Sequence, residues 1–158
     1  MRLATSLIAA GFLAASIQAV SIHAATADAV GPDDVKFEDG KVASSLTGAA
    51  GDVATGSKVF ADRKLGNCLA CHANKDQSDQ LFHGEVGPPL DGVADRWSPE
   101  ELRAIVVDSK QVFGEETVMP GFYSLKVGAN VAEQFAGKTI LSAEQVEDVV
   151  AYLSTLKE

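Results

Sequence analysis

Cys68-Leu69-Ala70-Cys71-His72 is the stretch on which the reading of this chain turns. It has the C-x-x-C-H spacing of covalent haem attachment. On a helical turn, residues three and four apart share a face, so both thiols can add across the two haem vinyl groups. His72 lies on that same face and can put its imidazole on the iron. The chain holds two cysteines in all, and the motif uses both. Two other readings lack their context. A thioredoxin-type dithiol follows a strand in a βαβ unit, whereas residues 51–64 have helical character. A zinc site needs two further ligands, and His83 is the soft candidate that remains.

The sequence upstream places this motif in a compartment. Met1-Arg2 precedes an apolar run from Leu3 to Val20, and small residues follow it up to Ala25-Thr26-Ala27. That is the layout of a secretory signal peptide with an A-x-A cleavage site. It predicts export, which in a bacterium means the periplasm. Gly11, Ser16 and Gln18 interrupt the run, which is marginal for a membrane anchor that needs ~20 apolar residues. The expected organisation is a cleaved signal peptide at 1–27, an acidic N-terminal arm at 28–49 that is mobile or docked on a partner, and a haem domain at 50–158.

Composition closes off other classes. The 158 residues suit one domain. A hydrophobic share of 46% argues against disorder and against a polytopic membrane protein. Loss of residues 1–27 leaves 12 basic against 22 acidic side chains, a charge of −10. A nucleic-acid binder would need clustered Lys and Arg instead. Two cysteines also exclude a disulfide-dense scaffold.

With the signal peptide removed, Met119 is the sole methionine, 47 residues beyond His72. Pro120 biases Met119 away from the helical region and Gly121 follows, so it sits on an irregular loop. A thioether there predicts His72/Met119 ligation of a low-spin, six-coordinate iron, with a raised potential relative to bis-histidine. His83 is the rival ligand and otherwise a surface loop residue. Gly87-Pro88-Pro89-Leu90 offers a rigid turn, and the Pro88 carbonyl is the candidate acceptor for the free ring N–H of His72. A plain rigid turn is the alternative. Arg96 and Trp97 are candidates for hydrogen bonds to the haem propionates, with ordinary packing and surface charge as the alternative.

Three helices are predicted around the haem. The first covers roughly residues 52–64, with Val53, Gly56 and Phe60 on one face. Gly56 costs ~1 kcal/mol inside a helix, which predicts a close backbone approach there. The second opens with a capping box, Ser98-Pro99-Glu100-Glu101, and the third with Ser142-Ala143-Glu144-Gln145. Val146, Val149, Val150, Leu153 and Leu156 form the apolar stripe of the third. Residues 128–139 read as a loop or irregular hairpin. The expected fold class is all-α, three to four helices around one haem.

These residues together resemble the class I c-type cytochromes. The order Gly56-x-x-x-Phe60, Cys68 to His72, Gly87-Pro88-x-Leu90, Met119-Pro120 and a terminal helix with Tyr152-Leu153 spans residues 51–158. The stretches Gly87 to Trp97, Thr117 to Tyr123 and Ile140 to Leu153 are similar to the SoxX cytochromes, the monohaem subunits of SoxAX sulfur-oxidation complexes. Many SoxX cytochromes carry Asn-Pro shortly before the methionine loop, where this chain has Phe113-Gly114-Glu115-Glu116. The resemblance implies one covalent haem c and a SoxA-like cytochrome partner. It also implies a SoxYZ-like carrier protein and a small cytochrome as electron acceptor. The pair would act as an L-cysteine S-thiosulfotransferase, with the sulfur chemistry on the partner and electron transfer on this chain. A free-standing cytochrome c that serves an oxidase or reaction centre is the alternative. No nucleic-acid or membrane partner is expected.

Overall fold

Each long helix starts at a side chain that satisfies its first free N–H groups. In the computed structural model, which describes residues 28–126 and 128–158, helix α1 is Val53–Ala61. The Asp52 carboxylate accepts from Thr55 N at 2.7 Å, and these bonds hold its pKa below the usual carboxylate value. Helix α2 is a short turn, Val93–Arg96. Helix α3, Pro99–Phe113, carries the full Ser98/Glu101 capping box, and α4, Ala143–Leu153, carries the Ser142/Gln145 one. Among the described residues, short 3₁₀ turns lie at Pro32–Asp34, Cys68–Ala70, Lys75–Gln77 and Glu133–Phe135. The β pairing among the described residues is one isolated bridge, Glu38 to Lys41. The predicted signal peptide lies outside the described residues.

Helix α1 stops at Ala61, short of the predicted Lys64. Asp62 is extended, and its side chain accepts from Lys64 N at 2.7 Å, a local bond that competes with helix continuation. The core forms where α1 crosses α4. A Cβ built on Gly56 would overlap the Asp148 carbonyl of α4, so the two backbones meet there as the unfavourable helix glycine implied. Phe60 and Tyr152 pack edge to face, with ring centroids 5.3 Å apart. The predicted stripe Val146, Val149, Val150, Leu153 and Leu156 is buried, although α4 ends at Leu153 and Leu156 lies in the chain just beyond it.

Tyr152 also ties α4 to the Lys75–Gln77 turn through a polar network. Its hydroxyl donates to Asp76 Oδ2 at 2.7 Å and accepts from Asn74 Nδ2 at 2.9 Å and Gln77 Nε2 at 3.2 Å. Burial, and then the Asp76 carboxylate, push the phenol pKa from 10.0 up to about 12. A raised folded-state pKa means stability that is complete below the ordinary value and is lost as pH climbs through the folded one. The urea midpoint of the wild type should therefore fall between pH 10.0 and about 12. Tyr152→Phe should flatten that fall, and an equally steep one in the variant would refute the assignment.

Residues 28–49 differ from the expected mobile or partner-docked arm. They pack on this chain's own helices. Val42 is 4% and Leu46 1% exposed. Val42 N donates to Glu100 O at 3.1 Å, and the Tyr123 hydroxyl donates to Val30 O at 2.7 Å. The Glu147 carboxylate of α4 accepts from Leu46 N at 2.8 Å, and from Arg103 of α3 at 2.8 and 3.0 Å. A sparse apolar pattern hid this docking, because two buried side chains and a set of backbone bonds carry it. Residues 128–139 hold one 3₁₀ turn and no hairpin pairing among the described residues.

Candidate functional site

The Cys68–Ala70 turn is nucleated by Asn67, which takes a left-handed conformation at φ 48°. Cys71 N and His72 N both donate to Cys68 O, at 3.1 and 2.9 Å. The two thiols and the imidazole are thus carried on one tight turn, as the spacing predicted. A second strip of chain runs alongside it. Gly84 N donates to Leu69 O at 2.7 Å, Gly87 N to Cys71 O at 2.8 Å and Leu90 N to Ala73 O at 2.9 Å. These bonds bring the Pro88 carbonyl to 2.7 Å from His72 Nδ1. A carbonyl only accepts, so Nδ1 carries the proton and Nε2 keeps its lone pair free for a metal. A Cβ on Gly87 would overlap the His72 ring, so glycine is what lets the strip lie against it.

Cys68, Cys71, His72 and Met119 all line one cavity of about 620 Å³. Its walls are mostly apolar and include Phe60, Leu90, Val106, Phe122 and Leu153. Burial pushes the Cys68 thiol up to about 12, so it is neutral at physiological pH. This volume is within the range of cofactor sites, roughly 300–1,000 Å³. An apolar slot with paired thiols, a tautomer-locked imidazole and a thioether on its walls fits a covalently held haem in size and in donor chemistry.

The remaining candidates divide. Arg96 lines the cavity, but its guanidinium donates to Asp91 O at 2.8 Å and Pro89 O at 2.9 Å. It thereby clamps the turn that carries Pro88. Trp97 lines the cavity too and packs edge-on to Phe113 at 6.0 Å. His83 lies outside it. Its Nδ1 accepts from Asn74 N at 3.3 Å and its Nε2 donates to Gln77 O at 3.1 Å, so both ring nitrogens are engaged in the loop after the motif. The Asn74–Tyr152 network carried no sequence signal, because it joins residues 78 apart in the chain.

The cytochrome c family profile matches residues 53–157. Among solved structures, the chain is similar to one from the SoxXA structure of P. pantotrophus, with 42% identity and a TM-score of 0.76. That match covers 82% of this chain and 99% of the other. A second similar structure is the c-type cytochrome SorU from Sinorhizobium meliloti, at 27% identity and a TM-score of 0.43, covering 66% and 90% of the two chains. No curated protein sequence matches.

Proposed function

The chain belongs to the cytochrome c family, and on that premise we propose that it is the electron-transfer subunit of a periplasmic SoxAX-type thiosulfate-oxidising heterodimer. The similarity that carries this reading is the 42% identity to a chain of the SoxXA structure, sustained over 99% of that chain. The fold is the all-α class I cytochrome c fold, and the cofactor is one covalent haem c. Haem c supplies a centre that gains and loses one electron.

The chain's own residues bind that centre and tune it. Cys68 and Cys71 would hold it through thioether bonds. His72 and Met119, both on the cavity wall, would supply an imidazole nitrogen and a thioether sulfur to its iron. Pro88 accepts the His72 Nδ1 proton, which fixes the ring's orientation and strengthens its Nε2 as a donor. Arg96 steadies the Pro88 turn through Pro89 O and Asp91 O. The apolar walls would keep water from the group and so favour its less charged, reduced state.

Both cysteines are committed to the cofactor, so the sulfur chemistry belongs to a SoxA-like partner. Joining a carrier cysteine thiol, on a SoxYZ-like protein, to thiosulfate forms an S–S bond and releases one proton and an electron pair. This chain accepts those electrons singly and passes them to a small cytochrome. The test is co-expression with a SoxA-type subunit and the haem-attachment machinery. A stable heterodimer, whose haem is reduced when thiosulfate and carrier are added, is the expected result. A chain that elutes alone and reduces a terminal oxidase directly would overturn the reading in favour of a diffusible cytochrome.

A further inference from the structure

Helix α3 is broken at Asp108, which has extended angles of φ −155° and ψ 94°. No proline or glycine lies at the break, so neither of the usual local causes explains it. What the break does is release carbonyls. Lys110 N, the ordinary partner of Val106 O, turns instead to Asp108 Oδ1 at 3.2 Å. The freed Val106 O accepts from Phe122 N at 3.1 Å, and Val107 O accepts from Tyr123 N at 3.0 Å. Both donors lie just beyond Met119, on the loop that carries it.

Three hydrogen bonds and one close approach also join this loop to the same break. Ser109, fully buried, donates from its hydroxyl to the carbonyl of Met119 itself at 2.7 Å. The Lys110 ammonium donates to Glu115 O at 2.9 Å and Thr117 O at 2.6 Å. A Cβ on Gly121 would stand 2.9 Å from Asp108 Oδ1, so the loop lies closely against the kink. Pro120 has no N–H to contribute to the loop's own bonding. The peptide that carries the methionine is therefore held from outside, by the helix.

From this geometry we infer that the α3 break is a socket for the methionine loop and that Ser109 is a positioning residue for the Met119 ligand, acting through the Met119 carbonyl. The inference rests on the assignment of Met119 as an axial ligand. Ser109 touches neither thioether nor iron. Its hydroxyl fixes the peptide plane from which the side chain projects, and its loss raises the population of a state with the loop lifted. One neutral hydrogen bond corresponds to roughly a tenfold change in that population.

The probe is carbon monoxide added to the reduced holoprotein, since it binds only where the second axial position is open. Ser109→Ala should bind it about tenfold more tightly than the wild type, because apparent affinity follows the competent fraction. The far-red sulfur-to-iron charge-transfer band of the oxidised form should also fade at lower temperature in Ser109→Ala. Ser154→Ala is the control. It deletes the same kind of bond, hydroxyl to carbonyl at 2.7 Å on Val150 of α4, far from the loop in sequence. It should lose stability without changing carbon monoxide affinity. Unchanged affinity in Ser109→Ala, or an equal rise in both variants, overturns the positioning role. A far-red band that survives Met119→Ala overturns the ligand assignment itself, and so separates the two failures.

Discussion

Replacement of Gly56 by alanine should destabilise the protein by about 3 kcal/mol, the upper part of the range for overpacking a closed contact. The sign is opposite to what helix propensity gives. At an exposed helical position the same change gains ~1 kcal/mol, because alanine loses less backbone entropy than glycine. Here the new Cβ would fall on the Asp148 carbonyl and lie 3.0 Å from the Tyr152 Cβ. A backbone carbonyl cannot rotate away as a side-chain tip can, so α1 and α4 must separate. That separation would also disturb the edge-to-face contact of Phe60 and Tyr152. Urea unfolding of the holoprotein measures the effect, and the yield of haem-loaded chain should fall with it. A Gly56→Ala protein at least as stable as the wild type would show that the helices do not meet at this point.

Arg103→Ala should cost about 3–5 kcal/mol, as removal of one partner of a buried ion pair does. The Arg103 and Glu147 side chains are 11% and 4% exposed, so the carboxylate left behind would be charged and mostly out of water. Glu147 would keep one partner, Leu46 N, and Val42 O would lose the guanidinium bond at 2.9 Å. The double variant Arg103→Met, Glu147→Leu should cost less than the two single changes summed, since it leaves no stranded charge. The double variant should nonetheless loosen residues 28–49, because it removes both side chains that hold Leu46 N and Val42 O. Faster proteolytic cleavage in that segment is the readout. Additive single and double effects would mean that the pair contributes nothing as a pair.

The same residues show why some of the structure was legible in advance. The haem-attachment motif is local, and its spacing maps directly onto one turn of chain. The two capping boxes are local as well, each closed by residues three apart, and both are present at the predicted places. The pull of Pro120 on Met119 is again a neighbour effect. The ion pair of Arg103 and Glu147 is different in kind. Its members are 44 residues apart, and an Arg and a Glu on helix surfaces look like any solvated pair until the helices pack. Residues 28–49 carry no local signal of their packing for the same reason, since the groups that hold them lie on α3, on α4 and at Tyr123.

The sequence by itself determined the cofactor, the turn that carries the attachment motif and the helix starts. Each depends on residue types at short spacing, where covalent geometry and local hydrogen bonding leave few options. Tertiary structure alone decided that α3 breaks at Asp108, that Ser109 reaches the Met119 carbonyl, that Arg96 clamps the Pro88 turn and that the N-terminal segment lies on the body. The N-terminal contacts join segments 61 and 101 residues apart, and the Arg96 and Ser109 bonds, though they span only five to ten residues, depend on loop conformations that residue spacing does not specify.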